Sequence, residues 1–127
     1  MSIPLIHRFH PDSMCLGESH GGLGILLSER VASCAPGSAI RHIDLVVLEP
    51  GATIAAHTHD TDNEEIYIIV KGRGLMQIED AHTPVEAGDL IHNPPGGRHG
   101  FANDGQQTTW LVVIELSFTA HPAATRT

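Results

Sequence analysis

Apolar residues recur along this chain in short runs bounded by turn residues, and no stretch longer than a turn or two keeps a helical period. Runs that read as strands extend over Ile25 to Val31, Ile40 to Leu48, Thr53 to His59, Glu65 to Val70, Gly74 to Ile78, Asp89 to Asn93 and Thr109 to Phe118. Between them stand Pro36-Gly37, Pro50-Gly51, Lys71-Gly72, Pro84, Ala87-Gly88, Pro94-Pro95-Gly96-Gly97 and Asn103-Asp104-Gly105, which supply the φ values that tight reversals need. Many short strands with such turns predict an all-β sandwich or barrel over residues 25–118. Pro4, Pro11 and the Gly21-Gly22-Leu23-Gly24 run break any period in residues 1–24, which read as an irregular arm. Residues 119–127 form a tail expected to fray from His121 on, with room for a short helix at either end of the chain.

At 127 residues the chain is the size of one domain with one core. Aromatic residues are scarce, so Val, Ile and Leu must fill that core, which again favours strands. Acidic residues outnumber basic ones by 15 to 7, and the formal charge of −8 gives no footprint for phosphate backbones or anionic lipid. Nucleic acid and membrane are therefore not expected as partners. The start at Met1 to Leu5 lacks the basic and apolar regions of a signal peptide, so a cytoplasmic address is expected. Cys15 and Cys34 are far apart and are expected as reduced thiols with no role. Histidine is the anomaly: there are ten, several of them close together.

The first cluster reads Gly51-x5-His57-x-His59-x5-Glu65-x6-Gly72. Side chains on a strand alternate faces, so His57 and His59 project from one face, near enough to bind one ion. Asp60 to Glu64 make a polar reversal, after which Glu65, Tyr67 and Ile69 share one face and Glu64, Ile66 and Ile68 lie on the other or in the loop. Either glutamate can be offered to a metal on this reading. The second cluster reads Gly88-x5-Pro94-x-Gly96-x2-His99-x3-Asn103, in which a strand ends at a rigid turn and His99 begins the next strand.

These two clusters resemble the paired motifs of the cupin superfamily, G-x5-H-x-H-x3–4-E-x6-G and G-x5-P-x-G-x2-H-x3-N. The second is met at every position. In the first, five residues separate His59 from Glu65, one more than the pattern allows, so either the loop is longer or Glu64 is the ligand and the spacing to Gly72 is stretched. The retained six-residue spacing to Gly72 and the face shared with Tyr67 favour Glu65. The resemblance implies a jelly-roll β-barrel of two antiparallel sheets, with His57, His59, Glu65 and His99 as ligands of one ion. It further implies a homodimer formed by sheet extension, for which Ile25 to Val31 is the candidate edge or exchanged strand.

Three imidazoles and one carboxylate suit one divalent transition metal ion, Fe, Mn, Ni, Co, Cu or Zn, and leave coordination positions open for a small-molecule substrate. One carboxylate cancels half the charge of such an ion, which leaves a cationic site suited to an anionic or enolate-forming substrate. The function expected is a metal-dependent enzyme of the dioxygenase, decarboxylase, isomerase or cyclase type acting on a small oxygen-rich molecule. The alternative is a non-catalytic metal-containing binder of a sugar or other small molecule. Tyr67 is a candidate hydrogen-bond donor at the metal or a packing residue, and His92 a candidate acid or base or a surface residue. His42 and Asp44 alternate with Val46 and Leu48 and either reach the cavity or mark a polar strand end. His7, His10, His20, His82 and His121 are expected to face solvent, and Phe101 and Trp110 to serve the core.

Overall fold

Turn residues cut the chain close to where the sequence places them except at Pro84, which lies within a strand while the reversal falls before it, at Glu79-Asp80. The structure is a computed structural model that describes residues 6–33 and 36–118. Cys34, the tail from 119 on and the first residues of the arm lie outside the described residues. The strands are β1 (Cys15–Leu16), β2 (Leu26–Ser33), β3 (Ile40–Leu48), β4 (Thr53–Thr58), β5 (Asn63–Lys71), β6 (Arg73–Ile78), β7 (Ala81–Glu86), β8 (Leu90–Asn93), β9 (Arg98–Ala102) and β10 (Thr109–Ser117). Three of them carry no strand pattern in the sequence beyond the start of β9 at His99. β7 is almost wholly exposed, holds Pro84 and forms an edge of its sheet, so it has neither a buried face nor a reason to exclude proline. β1 is two residues long and lies within the arm.

Two antiparallel sheets face each other in a jelly-roll arrangement, one of six strands in the order β1-β2-β3-β10-β5-β8 and one of four in the order β4-β9-β6-β7. They are hydrogen-bonded separately, so the barrel is not closed. β2 is not simply an edge strand, since β1 pairs with it at Cys15↔Ser28 and Leu16↔Leu27. The core between the sheets holds Leu48, Ile69, Met76, Phe101 and Leu111, each at most 3% exposed. Trp110 points the other way. It stacks on Phe9 of the arm and joins a second apolar cluster with Met14, Leu45 and Val47 on the outer face of the larger sheet.

Register across the larger sheet orders its inner face into rows. Val46, Leu111 and Ile69 stand side by side on β3, β10 and β5, and Asp44, Val113 and Tyr67 form the next row. His42, Glu115, Glu65 and Asn93 form the row after that, the last from β8. The inner face thus runs from aliphatic to charged within three rows, and the charged end is where the functional side chains gather.

Candidate metal centre

His57 and His99 face each other across the β4 and β9 pair, with Glu65 reaching in from the opposite sheet and His59 following just past the end of β4. Alternation along β4 is not simple. The register shifts between Ile54 and His57, so Ala55 and Ala56 form a bulge, and Ile54 and His57 both turn inward although three positions apart. Gly100 on β9 makes the bulge feasible, because a Cβ there would lie 2.9 Å from the Ala56 nitrogen and 3.0 Å from the Ile54 carbonyl oxygen. Gly100→Ala is expected to destabilise the metal-free protein by about 1–3 kcal/mol through overpacking and to weaken metal binding by displacing His57 and His99. Chemical unfolding and a metal titration of the variant check both effects.

The four side chains offer ligand atoms that all lie within 4.8 Å of one another. Two donors each ~2.1 Å from one ion and at right angles stand about 3.0 Å apart. The separations are 3.2 Å from His57 Nε2 to His59 Nε2, 3.0 Å from His99 Nε2 to Glu65 Oε1 and 3.3 Å from His59 Nε2 to Glu65 Oε1. The rings are aimed by bonds on their far sides. His57 Nδ1–H donates to the Ala55 carbonyl at 2.8 Å, and His59 Nδ1–H donates to Asn63 Oδ1 at 3.2 Å. Once His59 gives up the Nε2 proton it shares with Glu65, these bonds leave both Nε2 lone pairs converging on one point, which calls for a positive charge there. His99 is held differently: its Nδ1 is buried with no hydrogen-bond partner, and its ring stacks on His59 and meets Tyr67 edge-on. These residues fit a transition metal ion by donor type, spacing and tautomer.

Electrostatics agree with that fit. Burial, reinforced by the neighbouring histidines and only partly offset by the bond to Ala55, lowers the His57 pKa to about 4, so its imidazole is neutral at pH 7. Burial opposes ionisation of Glu65, but hydrogen bonds from His59 and His99 outweigh it and bring the carboxyl down to about 2. The hydrogen bond to Glu65 raises His59 above its usual value, against burial. Burial and the charge of Glu65 push the Tyr67 phenol far up, so it keeps its proton.

A cavity of about 240 Å³ opens beside the donors, with His59, Glu65 and Tyr67 in its wall. His42 and Asp44 line it too, which settles their alternation in favour of the interior. His92 and Glu64 do not. β8 turns Ile91 and Asn93 inward, so His92 is exposed on the outer face, where it hydrogen-bonds to Glu64 across β5. The structure therefore brings His57, His59, Glu65, His99 and Tyr67 together and leaves His92 outside.

The model of the Cupin domain family matches residues 44–115, more than half of the chain. The chain belongs to the cupin family. A 59-residue stretch is 39% identical to an uncharacterized protein of Methanocaldococcus jannaschii, covering 46% of each chain. Another, of 70 residues, is 33% identical to an oxalate-binding protein of Thermotoga maritima, covering 54% of this chain and 57% of that one. The matched stretches thus span only about half the length of these curated relatives. Among solved structures, a predicted oxalate decarboxylase from Thermotoga maritima superposes with a TM-score of 0.78 at 22% identity, over 87% of this chain and 99% of that one. A Cupin 2 conserved barrel domain protein from Salinispora arenicola does so with a TM-score of 0.74 at 21% identity, over 94% and 93%. At such identities these two likenesses show the cupin fold.

Two residues of this cupin site carry no signal in the motifs. Glu115 sits in the charged row between His42 and Glu65, with Oε2 3.3 Å from His42 Nε2 and Oε1 3.9 Å from His59 Nδ1. Its parity with Leu111 and Val113 is the sequence signal that finds it. His20 is exposed, as expected, and in addition stacks on His57 with ring centroids 3.7 Å apart. The arm holds it there: Ala55 N–H donates to the Ser19 carbonyl at 2.9 Å and Thr53 N–H to the Leu23 carbonyl at 2.8 Å. Gly22 permits this close approach, since a Cβ would stand 1.9 Å from the Thr53 carbonyl oxygen.

Because His59 takes up a proton more readily than a free histidine, and a metal needs its Nε2 bare, ion binding must release a proton. Affinity is expected to fall as the pH drops through the raised His59 value, beginning above pH ~6.5. Calorimetric titration of a metal ion in two buffers of different ionisation enthalpy, at neutral pH and one unit below, measures the protons released.

Proposed function

We propose that the protein is a metal-dependent enzyme in which one divalent transition ion, Fe, Mn, Ni, Co, Cu or Zn, is held by His57, His59, Glu65 and His99. The observation that carries this reading is the convergence of the His57 and His59 Nε2 atoms, 3.2 Å apart and pre-oriented from behind, at the wall of a cavity large enough for a small molecule. When bound, such an ion supplies Lewis acidity or redox chemistry toward an oxygen-bearing substrate. The chain's own residues do the rest. Glu65 supplies the anionic donor, and Tyr67, whose phenol stays protonated, offers a hydrogen bond to an oxygen lodged beside Glu65. Val46, Ile54 and Val113 give part of the cavity an apolar wall. The Thermotoga relative's description as oxalate-binding supports a small, oxygen-rich ligand as the kind of molecule involved.

The test is metal-dependent consumption of compounds from a panel of small hydroxy and oxo acids, diols and enolisable ketones, followed by mass spectrometry. Turnover that disappears on chelation and returns on reloading is the expected result. Tight binding of a panel member without turnover, across all six metals, would make the protein a binder.

A further inference from the structure

We infer that the cavity beside the metal centre accepts a neutral, hydroxyl-bearing molecule with an apolar flank, a vicinal diol or hydroxy ketone, and turns away small dicarboxylates such as oxalate. This rests on the metal-site reading above and goes beyond it to the class of substrate.

Charge is the first argument. One carboxylate beside a divalent ion would leave a cationic site, but this cavity has four: Glu65, Glu115, Asp44 and Glu18. Among the described residues Arg30 is the only guanidinium in its wall and is already committed, with Nε 2.8 Å and its terminal nitrogen 3.1 Å from the two oxygens of Asp44. Arg41 approaches Glu115 from the solvent side at 3.8 Å with its side chain 46% exposed, where screening weakens it. Glu65 and Glu115 together therefore cancel a divalent ion, Asp44 and Arg30 cancel each other, Glu18 adds a further negative charge, and among the described lining residues no lysine or arginine is left to hold a dianion.

Hydrogen bonding is the second. Glu115 and Asp44 are acceptors that gain from hydroxyl donors, which oxalate lacks, while the oxygens of a diol still carry lone pairs for the ion. Shape is the third. The space equals about eight water molecules at ~30 Å³ each, more than oxalate's few atoms need. Leu26, Val46, Ile54 and Val113 line it and suit a hydrocarbon flank.

The experiment uses the full chain loaded with Mn(II), whose water-proton relaxation enhancement reports both the bound ion and displacement of its waters. It is titrated with cis-1,2-cyclohexanediol and with oxalate. The wild type is expected to bind the diol more tightly than oxalate. Glu115→Gln, which removes the charge at constant shape, should bind oxalate at least tenfold more tightly than the wild type does. Asp44→Asn, which frees Arg30, should shift oxalate binding in the same direction and serves if Glu115→Gln does not fold. A wild type that takes oxalate as tightly as both variants, prefers it to the diol, or takes neither ligand overturns the inference and leaves the metal site standing. No enhancement from Mn(II), together with no retention of the other five ions after loading and dialysis, overturns the metal reading and this inference with it.

Discussion

Replacing His57 and His59 together by Ala should leave the protein folded and unable to retain metal, below about a tenth of an ion per chain after loading and dialysis, where the wild type keeps close to one. Two of four donors vanish, and the two that remain, His99 and Glu65, already hydrogen-bond each other at 3.0 Å. Neither histidine sits in the apolar core, and both are half-buried at the charged end of the sheets, so the cost to the fold is small. Thermal unfolding gives a second readout. An ion at a hundred times its dissociation constant stabilises the native state by about 2.7 kcal/mol, an increment the wild type should show and the double variant should lack. Stoichiometric metal in the double variant would remove the site from this place in the fold.

Glu65→Gln and Glu64→Gln should behave in opposite ways although the residues are neighbours. Glu65 is 7% exposed, faces the histidines and supplies the one formal negative charge among the proposed ligands. Its loss should lower metal affinity by at least ~100-fold, since even partners that only orient a ligand cost 10–100-fold. It should also lower the His59 pKa, because the hydrogen bond to Glu65 is what raises it. Glu64 turns to the outer face and hydrogen-bonds His92 there. Breaking that exposed pair should change stability by no more than ~1 kcal/mol and leave metal affinity within a factor of two or so. Isothermal titration of both variants with the same ion decides the matter. Metal lost from Glu64→Gln and kept by Glu65→Gln would reverse the assignment of the two faces of β5.

His92 shows how far face-reading extends. The alternation that puts Glu65 inside also puts His92 outside, because Ile91 and Asn93 are its neighbours and an isoleucine in this core must turn inward. Glu115 was legible by the same rule, two positions beyond Val113 on a strand whose odd positions from Thr109 to Val113 are buried. No motif singles it out, so its parity carries meaning only once β10 is known to lie between β3 and β5.

By itself the sequence determined most of the places where the chain reverses, that Glu65, Tyr67 and Ile69 share one face of β5, and that three histidines and a glutamate recur in a metal-binding pattern. These are local properties, set by the φ demands of Gly and Pro turns and by the period of two along a strand, and they need no knowledge of distant partners. Tertiary structure decided the rest. Only the pairing register aligns His42, Glu115 and Glu65 in one row, and only the packing of β9 against β4 shows that Gly100 accommodates the bulge that turns His57 inward. His20 reaches His57 through backbone bonds from the arm to β4, a contact between segments more than thirty residues apart. Register and edge contacts arise from the packing of the whole core, where each strand's position depends on all the others, so a site made by several strands comes into view only when they are assembled.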